Sequence, residues 1–237
     1  SMAAQSIISS QSDIVIAGGQ ESMSNAHHTI NLRNGLKMGD GKIKDSMIVD
    51  GLWCAMEDYH MGVTAENIAE KFNITKNEQD QFATDSQNKA ENAQKNNFFA
   101  NEITPIQITS KKESFDFKSD EFPRHGSTLD KISSLKPVFK KDGTVTAGNA
   151  SQTSDGAAFT LIVSETVVKT LNLEPIARLV SCAVGGVDPL YMGIGPCEAI
   201  PKALKQVDLK LSDIEQTELN EAFAAQSLTV LRDLKIG

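Results

Sequence analysis

Long apolar runs are missing from this chain. Nothing approaches the roughly 20 consecutive apolar residues that a membrane-crossing helix needs, so no membrane association is expected. Cysteine is scarce: Cys54, Cys182 and Cys197 are too few and too scattered for a disulfide framework or a zinc site, and no bound metal is expected. All three are read as packing cysteines in a reduced protein. Basic charge is in deficit, with 23 Lys and Arg against 31 Asp and Glu, for a net charge of −8. Such a chain is a poor candidate for coating nucleic acid or an anionic membrane. A secretory n-region is lacking as well, because Ser1-Met2-Ala3-Ala4-Gln5 carries no basic residue. The expectation is a cytoplasmic protein, or an organellar one if a transit segment lies upstream. No internal repeat or low-complexity tract is visible.

What is present is ordinary globular material: 40% hydrophobic and 23% charged residues over 237 positions. At about 150 residues per domain, that length allows one or two domains with a sizeable core. Residues 3–10 read as the end of a helix. Asp13 to Gly19 (DIVIAGG) reads as a buried strand, a short β-branched run stopped by two glycines. The Gly18-Gly19 pair admits two readings, a simple turn or the kind of strand end where α/β proteins bring backbone to a ligand. From residue 25 to about 58 the periodicity weakens. A helix is expected from about Thr64, with Ile68, Ala69 and Phe72 on one face. A second begins at Thr75-Lys76-Asn77-Glu78, a capping box, and runs to about Asn96.

Strands are expected at Glu102 to Ile108, Ala157 to Val163 and Ile176 to Ala183, with a short one ending at Leu219-Asn220-Glu221. Helices are expected to open at Ser164 and at Gly195-Pro196, where proline suits the first helical position, and to span Ala222 to Leu234. Between residues 111 and 141, eight Lys or Arg face five acids. This stretch reads either as a solvated loop or as a docking strip for a phosphate-bearing ligand.

Several side chains that could carry chemistry have plainer explanations on their own. Asn220 stands where an N-cap would stand. His60 could be a satisfied histidine, and Met61 and Met192 ordinary core residues. Five segments taken together point further. They are AGGQESMS (17–24), YHMGVTAEN (59–67), GTVTAGNAS (143–151) with DGAA (155–158), MGIGP (192–196) and NEAFA (220–224). In this order and at these separations they resemble the thiolases, specifically the biosynthetic acetyl-CoA acetyltransferases, over essentially the whole chain.

The resemblance implies an α/β thiolase fold, a five-layer α-β-α-β-α arrangement, present here in part. It implies that residues 1–22 and 154–174 are parts of the N-terminal half. Residues 23–153 would be the inserted loop domain, for coenzyme A binding and tetramerisation, and 175–237 the start of the C-terminal half. A homotetramer, a dimer of dimers, follows from the same resemblance. So does the reaction, a Claisen condensation of two acetyl-CoA to acetoacetyl-CoA and coenzyme A, or its reverse. A degradative 3-ketoacyl-CoA thiolase and a non-catalytic coenzyme-A-binding fragment are the alternatives. No cofactor beyond the CoA thioester is implied.

In the family the nucleophilic cysteine precedes the segment matched by residue 1, and the catalytic histidine follows the segment matched by residue 237. The chain is therefore expected to be an interior portion, inactive by itself. Strands whose neighbours lie outside it would expose edges and an apolar face, so it is expected to fold poorly alone. Asn220 matches the asparagine that holds an oxyanion-hole water, a role suited to a neutral amide. Leu52, His60, Met61, Arg124, Ala147, Ala150, Ser151, Met192, Ala222 and Phe223 match residues along the coenzyme A channel. Arg124 would sit at the nucleotide end, Ser151 on the pantetheine arm, and Ala222 and Phe223 in the tunnel wall. Gln152 departs from the family's usual small residue and could narrow the slot.

Overall fold

The computed structural model describes residues 1–110 and 113–236. In chain order it begins with helix α1 (Met2–Ile8) and strand β1 (Ile14–Ser22). Short strands β2 (His28–Ile30) and β3 (Ile43–Asp45) follow, then a π-helical turn (Met47–Leu52), β4 (Trp53–Cys54) and β5 (Tyr59–His60). Next come helices α2 (Met61–Lys71) and α3 (Lys76–Lys95), strands β6 (Ile106–Thr109) and β7 (Ser114–Phe117), and helix α4 (Leu129–Ser133). The chain continues through β8 (Asp155–Val163), α5 (Glu165–Leu171), a 3₁₀ stretch (Pro189–Ile194), α6 (Gly195–Lys205) and α7 (Ala224–Leu234). No helix among the described residues is long and apolar enough to cross a membrane. Lys111 and Lys112, the first cations of the basic stretch, lie outside the described residues.

The chain divides into two compact units. The first comprises residues 1–61 and 153–218. Its centre is the antiparallel pair β1–β8, in register from Ile14 opposite Val163 to Ser22 opposite Asp155. The β-branched run forms the expected strand, but two details differ from the sequence reading. The strand does not stop at the glycines; it runs through them to Ser22. Gly18 is required there by packing, because a Cβ would come within 2.3 Å of the Phe159 ring and 2.4 Å of the Ala158 carbonyl. Nor is the strand buried. Ile16 is 73% exposed, and Phe159 and Leu161, on the same face, are also open. The sheet has two strands only, so nothing among the described residues covers that face.

The expected strand at Ile176 to Ala183 is absent. This segment finds no pairing partner among the described residues, and Ile176, Leu179 and Val180 are exposed. A strand is defined by its ladder, and β-branched composition cannot make one alone. Elsewhere in this unit the local signals hold. Ser164 caps α5 through its hydroxyl, which accepts from the Val167 N–H at 3.3 Å. Pro196 sits in the first turn of α6.

The second unit comprises residues 62–152 and 219–237. Helix α2 starts three residues before the expected Thr64 and buries Ala65, Ile68 and Ala69. Helix α3 opens with the capping box: the Glu78 N–H donates to Thr75 Oγ1 at 3.3 Å, and the Thr75 N–H donates to Glu78 Oε2 at 2.7 Å. Such a cap stabilises a helix by about 1 kcal/mol. Helix α7 packs on α3, with Arg232 and Glu78 paired at 2.6 Å. One core cluster is Ala69, Ile74 and Ala225 with Phe72 and Leu228 against them, and Ile68, Val145 and Val230 are also fully buried.

Here too two strands come out differently. Pairing at the expected Glu102–Ile108 strand begins only at Ile106, because Pro105 has no N–H to donate and residues 97–103 are tied in turns. The segment ending at Glu221 stays irregular, and α7 begins at Ala224 rather than Ala222.

Candidate active site

The turn at residues 143–151 is held by buried carboxylates and amides rather than by regular structure. Glu66, on the buried face of α2, is 3% exposed. Its carboxylate accepts from the Thr144 and Val145 N–H groups and from Thr144 Oγ1, all at 2.9 Å. Asp80 on α3, 1% exposed, accepts from Asn149 Nδ2 at 2.9 Å. Asn149 in turn accepts from the Thr146 N–H at 2.8 Å and donates to the Thr144 carbonyl at 3.0 Å. Gln79 donates to Thr144 Oγ1 at 2.9 Å. These bonds satisfy backbone groups that would otherwise be buried unpaired, and bonds to ionised groups are the stronger kind.

The far end of the turn is stitched to the segment before α7. The Ser151 N–H donates to the Ala222 carbonyl and the Ala224 N–H to the Asn149 carbonyl, both at 2.9 Å. Ala150 and Phe223 form an antiparallel bridge. Phe223 meets Phe139 edge to face with centroids 6.2 Å apart. Phe139 lies so close to α2 that a Cβ on Gly62 would come within 2.4 Å of its ring.

These contacts bring Ala150, Ser151 and Asn220 to one cavity of about 250 Å³, shared with Ser86, Gln152 and Glu221. Gln152, the departure from the family pattern, is thus part of its lining. Asn220 does not cap α7: the N-cap position is Phe223, whose N–H is accepted by Gln226 Oε1 at 3.4 Å. The plain capping explanation for Asn220 therefore falls away. Its backbone carbonyl accepts from Gln226 Nε2, while the residue itself is exposed at the cavity. Ala147 stands exposed at the tip of the turn and Ala222 is half-buried; neither lines the cavity. Arg124 is exposed and outside the lining too, with its N–H donating to Gln87 Oε1 at 2.7 Å. A larger cavity of about 550 Å³ near the C-terminal end of α3 contains none of the expected site residues. The smaller one is the candidate, because the amide and the hydroxyl converge there.

The remaining residues expected at the site from the resemblance belong to the first unit. Leu52 ends the π-helical turn, His60 lies on β5 opposite Trp53, and Met61 opens α2. Met192 is 43% exposed on the 3₁₀ stretch. Burial pushes the His60 imidazole below its usual pKa, which favours the uncharged ring. Cys54 is buried in β4, Cys182 is exposed and Cys197 is half-buried on α6, all in this unit.

Comparison with known proteins decides the family. Residues 1–166 match the model of the thiolase N-terminal domain, and residues 173–237 that of the thiolase C-terminal domain. The chain belongs to the thiolase family. It is 51% identical to an acetyl-CoA acetyltransferase of Paracoccus denitrificans over 233 residues, which is 98% of this chain and 60% of that protein. Among solved structures it resembles the acetyl-CoA acetyltransferase of Syntrophomonas wolfei with a TM-score of 0.96 at 44% identity, covering 99% of this chain and 59% of that one. A human mitochondrial 3-ketoacyl-CoA thiolase in complex with CoA gives 0.93 at 43% identity, over 100% and 59%. The thiolase segment thus spans about 60% of the length of these relatives and carries their fold in part.

Sequence reasoning assigned no role to Glu66, Asp80, Asn149, Ser86 or Glu221. A signal was present for Glu66: it falls on the stripe Gly62, Ala65, Ala69 that the helix buries, where a carboxylate needs a reason. For Ser86 and Glu221, joined at 2.6 Å across 135 residues, nothing local could have served.

Proposed function

We propose that this chain is part of an acetyl-CoA C-acetyltransferase that condenses two acetyl-CoA to acetoacetyl-CoA and coenzyme A, and runs the reverse thiolysis. The observation that supports this reading most is the convergence of Asn220, Ala150 and Ser151 on one cavity. In the condensation, a thiolate attacks the first thioester carbonyl and expels coenzyme A, leaving an acyl-enzyme. A base then removes a methyl proton from the second acetyl-CoA. The resulting enolate carbon attacks the acyl carbonyl and frees the thiolate, with acetoacetyl-CoA as product. Asn220 holds the water that donates to the enolate oxygen, and a neutral amide does so without placing a negative charge beside a developing one.

Ala150 and Ser151, which line the cavity, hold the pantetheine arm, a thin chain that needs close backbone and few polar contacts, and Ala147, Ala222 and Phe223 support them from the turn and from the strip before α7. Leu52, His60, Met61 and Met192, in the first unit, match residues of the family's coenzyme A channel, and Arg124 matches one at its nucleotide end. None of Cys54, Cys182 or Cys197 matches a catalytic motif of the family, and this reading assigns the nucleophilic thiol and the catalytic histidine to other segments of the full-length protein. The reading includes a cytoplasmic homotetramer in which residues 23–153 are the inserted loop domain.

The likeness to a 3-ketoacyl-CoA thiolase keeps a second reading open, degradative thiolysis of longer chains. Thiolysis rates of the full-length protein with acetoacetyl-CoA and with a long-chain 3-ketoacyl-CoA separate the two. Preference for acetoacetyl-CoA is expected, and preference for the long chain would replace the first reading by the second. The 237 residues alone are expected to give no turnover.

A further inference from the structure

We propose that Glu66 is a positioning residue that sets the 143–151 turn for ligand binding, an inference that rests on the coenzyme A reading above. Glu66 is 3% exposed, yet its hydrogen-bond partners are two backbone N–H groups and one hydroxyl rather than a cation. The nearby Lys140, which feels its charge, pairs instead with Glu70 at 2.9 Å. Placing a carboxylate in the interior is costly, and core packing alone is better served by an apolar side chain. What the carboxylate supplies that an apolar group cannot is a strong, directed grip on consecutive amides. The surroundings are shaped for it: a Cβ on Gly143 would stand 2.2 Å from Glu66 Oε1.

The grip matters because of what lies along the same turn. Glu66 fixes Thr144 and Val145 at one end, and Asp80 fixes Asn149 toward the other. Between and beyond these anchors come Ala147, Ala150 and Ser151, bonded in turn to Ala222 and Ala224, while the Asn220 carbonyl is held separately by Gln226 Nε2. Loss of one anchor should therefore let the ligand wall shift while leaving the reacting groups themselves in place. The effect belongs mainly in binding, with little in turnover.

The test uses the full-length protein. Glu66→Gln keeps the shape and removes one acceptor oxygen and the charge. Its Kd for coenzyme A, by calorimetry, and its KM for acetoacetyl-CoA are expected to rise about tenfold, the loss of one charge-assisted bond. Its kcat is expected to stay within about threefold of wild type. Thr144→Val, which removes only the hydroxyl, should move the same constants in the same direction by less, and it carries the test if Glu66→Gln does not fold. Thr229→Val is the control: it deletes a buried hydroxyl bonded to the Ala225 carbonyl at 2.8 Å, and should lower Tm without moving Kd. Unchanged Kd in both turn variants, with wild type binding coenzyme A, overturns the role of Glu66 alone. A wild type that does not bind coenzyme A overturns the ligand reading and this inference with it. A rise in Kd matched by the control would reduce Glu66 to a structural group.

Discussion

The β1–β8 pair and the 143–151 turn make opposite use of their residues. The sheet is rich in Ile, Val, Phe and Leu, and much of that apolar surface is open: Ile14, Ile16, Phe159 and Leu161 are all more than half exposed. The turn is mostly small and polar, with two Thr, two Gly, one Asn and one Ser, and its centre is closed: Val145 and Thr146 are 0% exposed and Asn149 4%. Residue character therefore does not decide burial here. Cover does. The turn is covered because α2, α3 and the strip before α7 each reach it with a hydrogen bond. The sheet has one strand pair and no described layer on that face. Polar turns become rigid when each polar group is given a partner, and apolar strands stay open when none is supplied.

Substitutions that treat like residues in the two regions test this contrast, and the largest effect is expected in the covered unit. Ile68→Ala removes a side chain that is 0% exposed and should cost about 2–5 kcal/mol in denaturant unfolding. A cost under 1 kcal/mol would show that α2 is not held as described. Asn220→Ala in the full-length protein should lower kcat by ~10²-fold, the scale of one lost oxyanion donor. Near-normal turnover would remove Asn220 from the chemistry. Gly143→Ala forces a methyl against the Glu66 carboxylate and should cost about 1–3 kcal/mol by strain. A neutral result would mean that the turn gives way more easily than its bonding indicates.

Smaller effects separate the regions further. The Thr75 hydroxyl and N–H and the Arg232 guanidinium hold the Glu78 carboxyl down at about 2, from an ordinary 4.5. Because the folded value is the lower one, the stabilisation is fully present above about pH 4.5 and is lost as pH falls toward 2. A Tm-versus-pH profile should therefore lose part of its acid slope in Glu78→Gln; an unchanged slope would discount the cap and the ion pair. Smallest of all, Ile16→Ala in the 237-residue chain should change stability by no more than about 0.5 kcal/mol, as for an exposed position. A cost near that of Ile68→Ala would reveal that something covers the β1–β8 face.

The features legible in the sequence were those whose partners lie within a few residues. Thr75 and Glu78 are three apart and their capping box formed as written, and the helix expected to open at Ser164 does so, with Ser164 and Val167 likewise three apart. The Asn220 segment was legible through its resemblance, though not its detachment from α7, whose start shifted to Ala224. The strand at Ile176 to Ala183 was misread because composition supplies a propensity and not a partner. The burial of Glu66 could be suspected from its place on the α2 stripe, but its amide partners could not, because they lie 78 and 79 residues away.

Sequence alone determined the starts of α3 and α5, the acidic balance and the segments that mark the family, since each depends on side-chain identity or on bonds closed within one turn of chain. Tertiary structure decided which apolar strand stays open, which polar turn is sealed, and that an amide, a hydroxyl and Glu221 share one cavity. Those outcomes depend on contacts between distant residues, such as Asn149 with Asp80 across 69 and Ser86 with Glu221 across 135. Local propensity carries no information about which distant group arrives to complete them.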